Sequence, residues 1–529
     1  MAHQIFAERL KAAMADHRLK QADMVKAASE LGGRLGKSQI SQYVSGKTMP
    51  RADVVALLSQ ILGVDAAWLT GESDLPHAAA HEVADGSDLL AGMRASARHE
   101  AASPRSTAAQ QPAHDRHDIK RSTYMREFKK SSKLDNVLYD VRGPITDEAA
   151  RMEADGQRIL KLNIGNTAPF GFRAPEEVIQ DMRHQLTECE GYSEARGLFS
   201  ARKAIMQYAQ IKNIPNVSMD GIYTGNGVSE LIQLCMNALL DNGDEILIPM
   251  PDYPLWSACA ALAGGTPVHY VCDEQAEWNP DLADIESKIT SRTKAIVIIN
   301  PNNPTGALYP RELLEQIVEI ARKHQLMIFS DEIYDRLVMD GLEHVSTASL
   351  APDVPCVTFS GLSKSHMACG FRIGWMILSG NKNCMKDFIY GVNMLSNMRL
   401  CSNVPGQSIV QTALGGYQSV KSYVEPGGRV YEQRNFIYEA LNEIDGVTAV
   451  KPKAAFYIFP KLDVKKFNIT SDEQFALDLL HEKRILITRG GGFAWPEPDH
   501  FRIVFLPRMG VLRDAVRELA DFLSTYRQA

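Results

Sequence analysis

The segment Ser360-Gly361-Leu362-Ser363-Lys364-Ser365-His366-Met367-Ala368-Cys369-Gly370-Phe371-Arg372-Ile373-Gly374-Trp375 sets a lysine among small residues, with an arginine eight positions later at the edge of an apolar strand. A lysine amine shielded from water is a nucleophile towards an aldehyde, and a planar arginine fork suits a phosphate. The pair therefore fits a ligand that carries both groups. Alone, it fits an ordinary basic loop equally well, and the rest of the chain has to decide.

Working outward, three short apolar runs precede this loop: Glu245-Ile246-Leu247-Ile248-Pro249, Ala295-Ile296-Val297-Ile298-Ile299-Asn300 and Leu326-Met327-Ile328-Phe329-Ser330-Asp331. Their unbroken apolar character predicts strands of a parallel sheet covered on both faces. In open α/β sheets ligands collect beyond the carboxyl ends of the strands, so the residues just after each run are the candidates.

Five segments stand at such places. Tyr223-Thr224-Gly225-Asn226-Gly227-Val228-Ser229 opens into an apolar-periodic helix. The free backbone N–H groups at such a helix start bind anions and a serine hydroxyl adds a donor, although such a turn also serves as a plain helix cap. Tyr253, between Pro251 and Pro254, offers a rigid face for stacking on an aromatic ring. Asn300-Pro301-Asn302-Asn303-Pro304-Thr305-Gly306 brings amides to a strand end, where an asparagine amide can donate to a phenolate oxygen. Asp331 closes a buried strand, and a buried carboxylate needs a partner such as a protonated pyridine nitrogen. Arg502 interrupts the apolar alternation His500-Phe501-Arg502-Ile503-Val504-Phe505 and calls for an anion such as a substrate carboxylate. Together with Lys364 and Arg372 they supply partners for an aldehyde, a phosphate, an aromatic ring, a phenolate, a pyridinium and a carboxylate. Pyridoxal 5'-phosphate carries the first five, and an amino acid substrate the last.

The 529-residue length predicts two or three domains. With 45% hydrophobic and 23% charged residues and a net charge of -7, the composition is globular and demands neither a membrane surface nor an acidic partner. No apolar run reaches the length of a membrane-spanning helix, and the N-terminus lacks the apolar core of a signal peptide. Eight scattered cysteines without a CxxC pair predict reduced thiols and a cytoplasmic protein, and argue against structural zinc. Residues 1–75 read as a compact helical domain. Residues 76–117, rich in Ala, His, Ser, Pro and Gln, read as a flexible linker. Residues 118–529 read as one long α/β domain.

The order of motifs from about Lys120 onward resembles the class I, fold-type I, pyridoxal-phosphate-dependent aminotransferases, and within them the bacterial glutamate–pyruvate (alanine) group. Two further segments support that group: Leu162-Asn163-Ile164-Gly165-Asn166-Thr167-Ala168-Pro169-Phe170-Gly171-Phe172 and Gly191-Tyr192-Ser193-Glu194-Ala195-Arg196-Gly197. The resemblance implies a large domain (about 171–409) with a mostly parallel sheet and a small α+β domain (118–170 and 410–529). It implies that Lys364 bonds to the cofactor aldehyde and moves protons, that Asp331 faces the pyridine nitrogen, and that Asn303 and Tyr334 donate to the ring oxygen. Tyr253 would stack on the ring; Val228, Ser229 and Arg372 would hold the phosphate. Gly165, Asn303 and Arg502 would hold the α-carboxylate of amino acid and 2-oxo acid substrates. Tyr192 would reach the phosphate of a neighbouring subunit, which implies a homodimer. The sequence departs from the family at Gly361, where a phosphate-binding serine is frequent and Ser363 or Ser360 would have to substitute, and at Thr167, where a proline is common. Arg142, Arg173 and Arg399 are the unranked candidates for glutamate's distal carboxylate.

Residues 1–75 resemble the Cro/repressor-type helix-turn-helix family. The segment Gln21-Ala22-Asp23-Met24-Val25-Lys26-Ala27-Ala28 reads as the first helix of the motif, and Lys37-Ser38-Gln39-Ile40-Ser41-Gln42-Tyr43-Val44-Ser45-Gly46-Lys47 as the recognition helix with its glycine cap. The resemblance implies that Lys37, Ser38, Gln39 and Gln42 read DNA bases, with Lys47 and Arg51 on phosphate. Nine basic against eight acidic side chains give only a faint electrostatic footprint. Two functions follow: a transaminase carrying a DNA-binding domain, or a regulator that senses the cofactor through an aminotransferase-like domain.

Overall fold

A computed structural model describes residues 2–17, 19–31, 35–71, 73, 128–135, 137, 139 and 143–529. The chain divides into two compact units, Met1–Met125 and Arg126–Ala529. The expected linker at 76–117 lies outside the described residues, as does Arg142.

Among the described residues the first unit holds five helices: α1 (Ala2–Asp16), α2 (Gln21–Glu30), α3 (Lys37–Val44), α4 (Ala52–Leu62) and α5 (Ala66–Thr70). Their apolar positions recur at helical spacing and meet in a core that includes Phe6, Leu10, Met24, Ile40, Leu58 and Leu62. α4 stops at Gly63, whose φ of 63° is left-handed and cheapest for glycine. Asp65 then caps α5 by accepting from the Ala67 and Trp68 amides at 2.6 and 3.4 Å. α3 ends two residues before the glycine cap expected at Gly46, which follows at φ 71°.

In the second unit a short strand, β1 (Leu160–Lys161), pairs in parallel with Ile485–Leu486. The large sheet follows: β2 (Ile222–Gly225), β3 (Glu245–Met250), β4 (Thr266–Asp273), β5 (Asn279–Pro280), β6 (Thr293–Ile299), β7 (Met327–Asp331), β8 (Cys356–Gly361) and β9 (Gly374–Ser379). Their order is β2-β9-β8-β7-β6-β3-β4-β5. The β4–β3–β6–β7–β8 pairings are all parallel. All three predicted runs are strands. Alternate residues feed two cores: Leu247, Ile296, Ile298 and Ile328 on one face, Ile246, Ile248, Val297 and Phe329 on the other.

β9 runs antiparallel to both neighbours, with Gly374 opposite Gly225 on one side and Gly361 on the other. It therefore begins at the edge where β2 and β8 end. The connection from β8 to β9 therefore stays at the sheet's carboxyl edge and delivers Arg372 beside the start of the helix Val228–Leu239.

A third core lies apart from the sheet and gathers Ile145, Leu162, Phe456, Phe475, Ile503 and Leu519, among others. Its three-stranded sheet carries Phe501–Val504 in the centre, between Tyr457–Ile458 and Thr488–Arg489. The helices Arg429–Asn442, Asp472–Lys483 and Met509–Thr525 pack beside it.

Candidate active site

A cavity of about 870 Å³ opens at the carboxyl edge of the large sheet and is closed on its other side by the third core. Lys364, Asp331, Asn303, Tyr334, Tyr253, Val228, Ser229, Arg372, Gly165 and Arg502 all line it. Tyr192 does not; its side chain is 83% exposed.

Lys364 lies on the one-turn helix Leu362–Ser365 that follows β8. Its Nζ donates to the Gly165 carbonyl at 2.9 Å and sits 5.5 Å above the Phe456 ring. Gly165 has no room for a side chain, since a Cβ would stand 2.2 Å from the Tyr457 hydroxyl.

Asp331, at the end of β7, is 4% exposed. It accepts from Trp256 Nε1 at 3.2 Å and from the Ile333 amide at 3.3 Å. Burial pushes its carboxyl up to about 6, because two neutral donors do not replace the lost hydration of a full charge. The group is thus a buried acid that a cation would restore to the ionised form.

Arg372 donates to the carbonyls of Cys369 at 2.8 Å and Asn226 at 3.1 Å. Its φ of 52° is left-handed, a conformation that costs a non-glycine residue about 1–2 kcal/mol. Its guanidinium occupies the space a Cβ on Gly227 would need, 2.2 Å away. Gly227 precedes the helix Val228–Leu239, so a fixed cation and a helix N-terminus meet at one point. Gly374 makes this close approach feasible, as its Cβ would lie 2.6 Å from the Val228 nitrogen.

Arg502 is 3% exposed. Strand alternation turns it away from Ile503 and Phe501, which enter the core, and pairs it with Thr488. Nη1 donates to Asn303 Oδ1 at 2.8 Å, Nη2 to the Asn163 carbonyl, and Nε has no partner. Its guanidinium also lies between the Tyr457 and Phe493 rings, at 4.5 and 4.6 Å. Among the described residues, no acid pairs with Lys364, Arg372 or Arg502. Burial makes Arg502's cation costly to hold, which an incoming carboxylate offsets.

Tyr334 shares a hydrogen bond of 2.8 Å with Tyr457. Burial raises the Tyr334 and Tyr253 phenols well above their ordinary value, so both remain protonated donors.

Sequence reasoning missed Tyr457, Trp256, Asn163 and Tyr139, whose hydroxyl meets that of Tyr253 at 3.4 Å. Tyr457 sits in the apolar run Ala455–Phe459 and reads as core, while Trp256 lies on a helix one turn after Tyr253. At Gly361 the structure explains the departure from the family. A Cβ there would meet the Ile373 carbonyl at 2.8 Å, so no serine fits without a shift. Of the two proposed substitutes, Ser363 lines the cavity, whereas Ser360 is buried within β8 opposite Trp375 and does not. Arg399 is excluded as a substrate ligand: it donates to Glu230 at 3.1 Å and to the Ala195 and Thr224 carbonyls. Arg173 remains on the cavity wall.

The donor set fits pyridoxal phosphate at each end: a lysine amine, a buried acid that needs a cation, and an arginine beside a helix N-terminus. Such a cavity defines a pyridoxal-phosphate transferase of the aminotransferase kind. The chain belongs to the aminotransferase class I and II family, which matches residues 157–519; a helix-turn-helix family matches residues 10–69. It is 57% identical over 404 residues to a glutamate-pyruvate aminotransferase of Haemophilus influenzae, covering 76% of this chain and 100% of the relative. An alanine aminotransferase of Mycobacterium tuberculosis is 54% identical, with 76% and 94% covered. The crystal structure of an aminotransferase from Escherichia coli superposes with a TM-score of 0.76 at 55% identity, covering 76% of this chain and all of that one.

Proposed function

We propose that this aminotransferase exchanges the amino group between L-alanine with 2-oxoglutarate and L-glutamate with pyruvate. The observation that carries the amino acid reading is Arg502: a buried cation without an acid partner, fixed by Asn303 and Asn163, in the cavity that holds Lys364 and Asp331. The choice of alanine and glutamate rests on the names of relatives at 54–57% identity.

Pyridoxal phosphate supplies an aldehyde for the amino group and an electron-poor ring that stabilises charge at the substrate's Cα. The chain's residues do the rest. Val228, Ser229 and Arg372 hold the phosphate, and Ser363 is placed to assist. Asp331 keeps a proton on the pyridine nitrogen. Tyr253 would stack on the ring, while Asn303 and Tyr334 would donate towards its oxygen. Arg502, with Asn303 and Gly165, anchors the α-carboxylate so that the Cα–H bond faces Lys364. The Lys364 amine takes that proton and returns one to the same carbon in the opposite half-reaction.

The experiment is a steady-state assay with glutamate and pyruvate. The expected outcome is alanine formation with parallel double-reciprocal lines, because one product leaves before the second substrate enters. Bound cofactor with no alanine formed would support the cofactor-sensing regulator instead. That reading is not favoured, since the whole set of cofactor and carboxylate ligands is intact and the relatives are named as enzymes.

Tyr192 and a homodimer belong to the same proposal. Tyr192 is exposed along with Phe199, Met394, Met398 and Leu400. These side chains share one region, since Arg196 bonds Asn393 at 3.0 Å and Arg399 bonds the Ala195 carbonyl at 3.1 Å. Clustered exposed apolar residues mark a protein interface. The eight cysteines are all unpaired, which supports a reducing compartment such as the cytoplasm. No helix among the described residues is long and apolar enough to cross a membrane.

For the first unit we propose DNA binding. α3 is anchored through Ile40 and Tyr43, which leaves Lys37, Ser38, Gln39 and Gln42 exposed, with Lys47 and Arg51 exposed just beyond. Gln39 has one arm committed, as its Oε1 accepts from the Gly36 amide at 2.9 Å. Binding of the full chain to duplex DNA should weaken as salt rises. Lys47→Ala is expected to reduce the slope of log affinity against log salt by about 1. Salt-independent binding, or none, would leave the unit as a protein-interaction module.

A further inference from the structure

Four charged side chains meet where the third core abuts the large sheet: His500, Asp499, Lys461 and Glu274. Asp499 and His500 directly precede the strand Phe501–Val504, and Lys461 bridges His500 from the facing chain. Glu274 comes from the other side and opens the one-turn helix Glu274–Ala276 that follows β4. His500 is buried. Its Nδ1 meets Asp499 Oδ1 at 2.6 Å, and its Nε2 stands 3.5 Å from Glu274 Oε1. Lys461 Nζ lies 3.1 Å from Glu274 and 3.5 Å from Asp499, so two carboxylates face two cations. The imidazole stacks on Phe459 at 4.9 Å and meets Trp278 and Trp495 edge-on. Burial alone would push the imidazolium down; the Asp499 and Glu274 carboxylates outweigh it and raise His500 above its ordinary value. Burial likewise opposes the Asp499 carboxylate, but His500, Trp495 and Lys461 hold it down at about 2.

Arg502 lies two residues further along the same strand. Alternation puts the two side chains on one face, about 7 Å apart along the chain. Both reach across the same seam: His500 to Glu274 after β4, and Arg502 to Asn303 after β6 at 2.8 Å. An aromatic layer joins them. Phe459 stacks on His500 and packs edge-on against Phe493 at 5.9 Å, and Phe493 lies 4.6 Å from the Arg502 guanidinium. Phe459 and Phe493 both belong to a core of the large sheet. A strand held at two points keeps its direction; released at one, it pivots about the other.

We propose that His500, held as a cation between Glu274 and Asp499, is a positioning residue for the α-carboxylate site: it pins the strand of Arg502 to the large sheet and so sets the angle at which Arg502 meets the substrate. This rests on the transaminase reading above. Every amino acid presents the same α-carboxylate, so alanine and glutamate depend on this strand equally. The proposed phosphate and ring ligands, Val228, Ser229, Arg372 and Asp331, lie on other elements and do not. Because the value of His500 is raised, the cation and its hold on the strand are present at lower pH and are lost as the pH rises through that value.

The test measures the single-turnover rate constant and apparent dissociation constant of the cofactor-loaded full chain with alanine and with glutamate, from about pH 6 to about pH 9. The chains are the parent, Glu274→Gln, Glu274→Asp and His500→Gln. Glu274→Gln should weaken binding of both amino acids by one common factor, about 5–30-fold, with the rate constant at saturation and the cofactor's affinity unchanged. In the parent, binding should weaken as the pH rises. In Glu274→Gln that step should move to lower pH, since one of the two carboxylates that hold the proton is gone. Glu274→Asp keeps the charge one carbon further back and should recover part of the loss. His500→Gln has no group to titrate there and should bind weakly without the step; where it fails to fold, the two Glu274 variants decide. Cofactor affinity falling in step with substrate affinity would make the cluster a structural clasp and overturn the proposal. Unchanged dissociation constants, or a step that Glu274→Gln does not move, would overturn it too. A parent enzyme that turns over neither amino acid would overturn the transaminase reading itself, which the same measurement separates from a failure of His500.

Discussion

Lys364→Ala should lose transamination by about 10²–10⁴-fold, the range expected when a positioned proton-transfer group is removed, and more if its bonding to the aldehyde also limits the rate. The variant should still fold. Lys364 contributes one bond, to the Gly165 carbonyl, and its turn is held independently: the Ser365 hydroxyl donates to the Gly361 carbonyl at 2.8 Å, and His366 Nε2 meets the Ala413 carbonyl at 2.8 Å. Val228, Ser229 and Arg372, the proposed phosphate ligands, are also untouched, so the cofactor should still bind, though removable by dialysis. The measurements are turnover, thermal unfolding and cofactor retention. A variant that keeps turnover would remove Lys364 from the chemistry. A variant that fails to fold would show the lysine to be structural.

Asp331→Asn should lower turnover by about 10²–10³-fold, because an amide cannot hold a proton on the ring nitrogen as a carboxylate does. The same change has a second, opposite consequence for the cofactor-free chain. The Asp331 carboxyl is raised by burial from 3.8 to about 6. A raised folded-state value means the group's stabilising contribution is fully present below about pH 4 and lost as the pH rises through 6. The difference corresponds to about 3 kcal/mol. Subtracting the stability of the variant from that of the parent, both free of cofactor, should give a curve that falls by about that amount between pH 4 and pH 8. Taking the difference cancels the other groups that titrate there, such as Glu332, also pushed up by burial, to about 7. The amide loses one of the two acceptors that serve Trp256 and Ile333, an offset that does not vary with pH. A flat difference curve would mean that Asp331 is ionised and solvated in the free chain. Cofactor binding should then flatten the parent's own curve, since a ring cation restores the carboxylate.

The large sheet and its ligand-binding edge were legible because unbroken apolar runs and turn-forming residues are local signals. β3, β6 and β7 are unbroken apolar runs, and the residues after them carry the chemistry. The charged members of the site were legible for a related reason. A lysine, aspartate or arginine inside an apolar pattern is costly to bury, so its presence there asks for a partner. Tyrosine and tryptophan send no such signal. Tyr457 and Trp256 bury well as core residues, and only the fold shows that one bonds Tyr334 and the other Asp331. Gly361 was visible as an anomaly, but its cause lies in the Ile373 carbonyl across the strand pair, a contact set by the direction of β9 rather than by neighbours in sequence. Arg399 shows the converse: as a letter it is as good an anion ligand as Arg173, and its commitment to Glu230 lies 169 residues away.

The reversed strand β9 also bears on how this chain can change over evolutionary time. Lys364 and Arg372 both sit in the connection between β8 and β9, residues 362–373, whose two ends are pinned opposite each other at Gly361 and Gly374. The proposed anchors for the aldehyde and the phosphate are thus spaced by one closed loop of fixed length, like two jaws on a single frame. A point change at half-buried Cys369 leaves that spacing intact. Inserting or deleting a residue there would move one jaw relative to the other and release the cofactor from both ends at once. Length variation among descendants of this chain should therefore concentrate elsewhere, even where the letters of this loop drift.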